Sequence, residues 1–170
     1  MKQTLLTVLT ILTILCICIS MTSCSSKGSK KVAPEKVMTV PTDQSEESIN
    51  KELGATPSST EKNKKSGISA NNYENSEFAG HKGQLSFYYN KDGSVLYYKW
   101  FINEKDKKKA KEIYSDVCEA LAGSYVDGEE SNSEVSELYT TSFTNDKQQI
   151  TAQLQKASDG GYEISYMVVG

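Results

Sequence analysis

The sequence predicts a small α+β domain in two layers, in which one helix lies on one face of an antiparallel sheet of about five strands. Three observations support this fold. After Gln84, apolar and aromatic residues alternate with a period of two in several stretches. Turn residues separate these stretches, and a single helical stripe lies between the second and the third. The predicted order is ββαβββ, within a domain that spans residues 84–170.

The first two strands are expected to form a hairpin. Leu85, Phe87 and Tyr89 alternate with other residues, which is the period of a strand. Asn90–Gly93 has the composition of a tight turn, since its glycine can adopt a positive φ. Ser94–Ile102 is rich in β-branched and aromatic residues and predicts the second strand.

The helix is predicted to begin at Asn103, whose side chain can accept hydrogen bonds from the amides of the first turn. Gly123 is the expected C-terminal cap. One apolar stripe joins these two ends, at the three- and four-residue spacing of a helix face. It consists of Ala110, Ile113, Tyr114, Val117, Cys118 and Leu121.

The rest of the domain is predicted to form one loop and three strands. Ser124–Ser136 is polar and acidic, which is typical of a loop. Strands are predicted at Glu137–Thr144, Gln148–Lys156 and Tyr162–Val169. Because short turns join them, these strands should pair antiparallel.

Alternation along the strands assigns their side chains to two faces. The face toward the helix is predicted to hold Leu85, Phe87, Tyr89, Leu96, Tyr98, Trp100, Ile102, Ile150, Ala152, Leu154, Ile164, Tyr166 and Val168. The opposite face is predicted to hold Tyr88, Val95, Tyr97, Lys99, Phe101, Thr151, Gln153, Gln155, Glu163 and Met167. A shift of one residue in register would exchange the two faces.

Residues 24–80 predict a disordered linker. They are rich in Ser, Thr, Lys, Glu, Asn and Gly, and they contain all three prolines of the chain. Their apolar residues are isolated, so no helical or strand period is long enough to bury a face. Such a segment cannot offset the entropy lost on ordering. It would serve as a flexible spacer.

The first 23 residues predict an export signal. Lys2 precedes an apolar run, Leu5–Ile19, that is interrupted by only three threonines. This run is shorter than the roughly 20 residues that a membrane-spanning helix needs. A charged start, a short apolar run and small residues before a cleavage point are typical of a secretory signal peptide. An uncleaved signal anchor is the alternative.

The end of this signal, Met21-Thr22-Ser23-Cys24, resembles the lipobox of bacterial lipoproteins. In that family the cysteine thiol receives a diacylglyceryl group, and the signal peptide is removed so that the cysteine becomes the first residue. The family usually has leucine where this chain has Met21. The resemblance implies lipid attachment at Cys24, a membrane partner, and a location on the extracytoplasmic face of the cell membrane. An ordinary cleaved signal with an incidental cysteine is the alternative.

Charge excludes one class of partner. The chain has a formal net charge of −3 and contains no arginine, the residue that binds phosphate through two parallel hydrogen bonds. The folded half is acidic, whereas nucleic-acid binding requires a basic patch. Nucleic acid is therefore not an expected partner.

No catalytic, metal or cofactor site emerges from the residue pattern. His81 is the single histidine and has no metal-ligating residues at suitable spacing, and Cys118 lies in the apolar stripe of the helix. The acidic residues Asp127, Glu129, Glu130 and Glu134 do not match a calcium-binding loop. These residues are interpreted as structural or solvated.

Aromatic residues on the helix-free side of the sheet are the remaining functional signal. A single helix covers one face, so Tyr88, Tyr97, Lys99 and Phe101 form a candidate binding face. Strand preference of tyrosine is the competing explanation. The sequence thus predicts a non-catalytic binding module whose partner is a protein or a cell-wall glycan. A cell-envelope hydrolase and a self-associating structural protein are the alternatives, and the oligomeric state stays open.

Overall fold

The computed structural model describes residues 44–133, 137–144 and 148–169, which form one antiparallel sheet of eight strands and two helices. The helices are α1 (Glu46–Leu53) and α2 (Lys107–Ala122). The strands are β1 (Ser59–Lys62), β2 (Ser69–Phe78), β3 (His81–Tyr89), β4 (Val95–Glu104), β5 (Val126–Ser133), β6 (Leu138–Thr144), β7 (Gln149–Lys156) and β8 (Tyr162–Val169).

The sheet consists of two halves with the same order of elements. Each half is a helix followed by a four-stranded meander: α1 with β1–β4, and α2 with β5–β8. The strand order across the sheet is β1-β2-β3-β4-β8-β7-β6-β5, so the last strand of one half pairs with the last strand of the other. That antiparallel pairing relates the halves by an approximate twofold rotation.

Two details support the equivalence of the halves. The turns before β4 and β8 close with the same backbone bond, from Asn90 N to Ser94 O (2.9 Å) and from Ala157 N to Gly161 O (2.8 Å). Both turns also contain a glycine with a positive φ, +85° in the first and +88° in the second. At the junction, Trp100 of β4 is the register partner of Tyr166 of β8, and their rings stack with centroids 5.9 Å apart.

The core lies between the sheet and the two helices, which cover the same face. Helix α2 lies over β4, β6, β7 and β8, and it buries Ala110, Ile113, Val117 and Leu121. Helix α1 lies on the same face over the other half of the sheet, where its Ile49 is fully buried. There the Tyr73 hydroxyl on β2 donates a hydrogen bond of 2.6 Å to Asn50 Oδ1.

The prediction of five strands, one helix and the order ββαβββ was wrong. The sheet begins at β1, and α1, β1 and β2 all lie within the segment that was expected to be linker. The residue pattern of β2 does not indicate a buried strand, because three of its buried residues, Asn71, Asn72 and Ser76, are polar. Asn72 is stabilised instead by side-chain hydrogen bonds, such as that from Ser86 Oγ (2.7 Å). Residues 24–43 of the expected linker lie outside the described residues.

Two further boundaries differ from prediction. The expected loop Ser124–Ser136 contains β5, an edge strand that pairs only with β6 and therefore does not need an apolar pattern. The N-cap of α2 is Asp106, whose carboxylate accepts a 2.8 Å hydrogen bond from Lys109 N. Asn103 is still paired within β4, so it cannot cap the helix. Gly123 ends α2 as expected.

Most of the predicted inner face is buried, with one local exchange. Val95 is 7 % exposed, whereas Leu96 is 37 % exposed, the reverse of their predicted positions. The cause is a register shift in the β3–β4 pairing between Tyr88 and Tyr89, which places one extra residue in β4. The predicted alternation holds again from Tyr98 onward.

Gly83 is required by the close approach of β3 to the core. A Cβ atom at this position would lie 2.5 Å from the carbonyl oxygen of Phe101 and 2.7 Å from Cε2 of Trp100. We therefore expect Gly83→Ala to lower the free energy of unfolding by about 1–3 kcal/mol, the usual cost of overpacking. Urea denaturation followed by the fluorescence of Trp100, the one tryptophan of the chain, measures the change.

Gly123→Ala is the matched control for this substitution. Gly123 has a helical φ of −64°. A Cβ atom there would lie no closer than 3.6 Å to its nearest neighbour. Its stability should equal or slightly exceed that of the natural protein. Equal stabilities of the two variants would contradict the steric role of Gly83.

Candidate binding surface on the helix-free face

The sheet face opposite α1 and α2 carries the candidate site. We call it the helix-free face, and it comprises the outward side chains of β1–β8. The sequence-predicted residues Tyr88, Tyr97, Lys99 and Phe101 all lie on it, because they are register partners of one another or alternate along β3 and β4.

Tyr88 and Tyr97 form a stacked pair rather than two separate contact residues. They are direct cross-strand partners, and their ring centroids are 4.3 Å apart with an angle of 18° between the planes. Tyr97 is only 6 % exposed, and Tyr88 is half-buried. Burial raises the pKa of both hydroxyls above its ordinary value. The pair supports the face, and Tyr88 is its accessible member.

Lys99 is held between a carboxylate and an aromatic ring. Its Nζ atom lies 2.7 Å from Glu163 Oε1 on β8 and 5.3 Å from the ring centroid of Phe101. Gln155 on β7 donates a further hydrogen bond of 3.0 Å to the same Glu163 oxygen. Lys99 and Glu163 thus neutralise each other, and the Lys99 contact restrains the Phe101 ring.

A groove opens next to Phe101, at an irregularity in β2. The β2–β3 register shifts between Tyr73 and Ser76, and Asn75 within this bulge has a φ of +57°. A bulge of this kind turns side chains away from the regular alternation. The groove has a volume of about 380 Å³, and its lining residues are Glu74, Asn75, Lys82, Gly83, Gln84, Phe101, Ile102 and Asn103.

A network of side-chain hydrogen bonds extends across the helix-free face toward the edge strand β1. Asn72 on β2 donates through Nδ2 to Ser59 Oγ (3.1 Å) and to Glu61 Oε1 (3.2 Å) on β1. Ser86 Oγ, which donates to Asn72, accepts from Gln84 Nε2 at 3.1 Å. Gln84 thereby connects this network to the groove.

The other residues considered in the sequence lie elsewhere. His81, expected to be a solvated linker residue, lies at the start of β3, with its Nε2 atom 2.8 Å from Asp116 Oδ2 on α2. Cys118 contacts the core, as its place in the apolar stripe predicted. Cys24 and Glu134 lie outside the described residues, and the side chains of Asp127 and Glu129 are not described.

Within the described ranges, His, Cys, Asp and Glu side chains form no group of three that could hold a metal ion. No helix in residues 44–133, 137–144 or 148–169 is long and apolar enough to cross a bilayer.

Sequence reasoning missed the β2 and β3 residues that line the groove: Glu74, Asn75, Lys82 and Gln84. Glu74, Asn75 and Lys82 lie before residue 84, where the predicted domain begins. A bulge also interrupts the alternation of residues by which a strand face is recognised in the sequence. The comparisons with protein-family models, curated proteins and solved structures find no match to this chain.

Proposed function

We propose that this chain is a membrane-anchored lipoprotein of the extracytoplasmic surface whose sheet domain binds a partner without catalysis. The groove beside Phe101 on the helix-free face is the observation that carries the binding part of this proposal. The anchor rests on the resemblance of Met21–Cys24 to a lipobox.

The anchor is physically consistent with the residues that follow it. Two acyl chains bury enough methylene groups for stable attachment, whereas one holds a protein only marginally. Lys27, Lys30 and Lys31 come directly after Cys24. Each lysine this close to an anionic membrane adds about 1 kcal/mol of attraction.

Replacing Cys24 by alanine should release the protein from the membrane, because no thiol would remain to carry lipid at the cleavage point. Cell fractionation followed by immunoblotting measures the distribution. Cys118→Ala is the matched control, since it removes a cysteine from the folded domain, and this variant should stay in the membrane fraction. A Cys24→Ala protein that lacks its leader yet remains with the membrane would contradict the proposed anchor.

The groove favours binding over hydrolysis. Hydrolysis of glycosides by carboxylates needs two of them across a cleft. Among the eight residues that line the groove, Glu74 is the one carboxylate. The nearby Glu163 on β8 is engaged by Lys99 and Gln155.

Phe101→Ala should weaken binding of the full chain to bacterial cell walls that have been freed of membrane lipid. Phe101 is half-buried in the groove, so its loss removes apolar contact area with limited effect on the core. The expected loss of affinity is at least about tenfold, the effect of one stacking contact. Co-sedimentation of the protein, purified in detergent, measures it, and circular dichroism verifies the fold.

Leu96→Ala is the control for this experiment. Leu96 is 37 % exposed and lies outside the groove lining, so its replacement removes apolar surface without touching the site. It should bind as the natural protein does. Equal binding by the natural protein and Phe101→Ala would place the binding site away from the groove.

A further inference from the structure

We infer that the groove beside Phe101 binds a saccharide, with the Phe101 ring stacked on a sugar ring and the amides of Gln84 and Asn103 bonded to its hydroxyl groups. This inference rests on the proposed function, because it names the ligand class of the same face.

The groove is open and shallow, and its size suits one or two sugar rings. Its volume of about 380 Å³ falls within the usual range of small-molecule sites, roughly 300–1,000 Å³. It is built on strands rather than on a long loop, since β2, β3 and β4 supply its lining. Asn75 in the bulge and Phe101 both belong to its lining.

Phe101 is suited to stacking because it is not part of the aromatic core. Its register partners on the neighbouring strands are Gln84 and Ser165, neither of which is a large apolar residue. The ring is half-buried, and the Lys99 ammonium lies over one of its faces, 5.3 Å from the centroid, so a sugar would stack on the other face. A phenyl ring offers a flat apolar surface to the C–H groups on one side of a pyranose.

The charges and hydrogen-bonding groups of the groove favour an uncharged polyhydroxyl ligand. Its lining contains one carboxylate, Glu74, and one ammonium, Lys82, so that the groove has no net charge. The side-chain amides of Gln84 and Asn103 can each donate and accept hydrogen bonds, which is also the property of a sugar hydroxyl. One N–H of Gln84 is already used in the 3.1 Å bond to Ser86 Oγ. An anionic ligand would instead require an excess of positive groups.

The polar lining continues across the sheet toward β7. Asn103 is the register partner of Glu163 on β8, and Glu163 is the register partner of Gln155 on β7. Neighbouring strands lie about 4.8 Å apart, so this row extends the site by about 10 Å beyond the groove. An oligosaccharide that crosses the strands would contact it. We therefore expect affinity to rise with the number of sugar units.

Isothermal titration of the full chain in detergent with β-1,4-linked oligomers of glucose and of N-acetylglucosamine, from one to four units, tests the inference. At least one series should bind, and the tetramer should bind more tightly than the monomer. Phe101→Ala should lose at least about tenfold in affinity for the tetramer. Phe101→Tyr, which keeps the stacking ring, should retain binding, as should Leu96→Ala.

The inference is overturned if neither series binds at about 10 mM, a concentration at which a site with a dissociation constant near 1 mM would be mostly occupied. It is also overturned if Phe101→Ala binds the tetramer as tightly as the natural protein does. The saccharide inference can also fail while the proposed function stands. The partner is a protein if the chain binds cell walls through Phe101, if protease treatment of the walls abolishes this binding, and if oligosaccharides do not compete for it. That result would leave the binding face intact while removing the saccharide.

Discussion

The pairing of β4 with β8 is the interaction on which the rest of the structure depends. It joins two helix-plus-meander halves into one sheet, and its central register pair is Trp100 with Tyr166, both fully buried. Each aromatic side chain of this size contributes about 1.5–3 kcal/mol when removed from water. Phe78 of β2 closes the cluster, with its ring 4.7 Å from Tyr166 and 5.7 Å from Trp100. Strands from both halves therefore share one aromatic core.

This junction also determines which face of the sheet the helices cover. An approximate twofold rotation normal to the sheet places both helices on the same face, so within the described residues no helix covers the opposite face. The Trp100 ring requires a glycine at position 83 of β3, and Gly83 forms part of the groove wall. Packing on the inner face and the shape of the outer face are thus set by the same short segment of β3. Lys99 and Glu163 link β4 to β8 on the outer face directly beside the groove.

The sequence predicts best the elements whose burial is periodic. The β3–β4 hairpin, the helix Lys107–Ala122 and the strands β6, β7 and β8 were identified within a few residues of their bounds. The missed elements have little apolar pattern. Helix α1 buries Ile49 as its single fully buried residue, and β1 and β5 are sheet edges that need only one neighbour. The face with Tyr88, Tyr97, Lys99 and Phe101 was predictable from alternation. The groove was not, because it depends on a bulge and on a strand rich in buried polar residues.

Native-state hydrogen exchange is the most direct test of the central claim that the β4–β8 pairing holds the two halves together. Amides in the paired segments, residues 98–104 of β4 and 162–168 of β8, should exchange only through global unfolding. Their exchange free energies should then equal the free energy of unfolding from urea denaturation. If these amides instead exchange through a smaller opening than the central amides of β3 and β7, the halves separate before they unfold. In that case the junction is not the organising interaction of the fold.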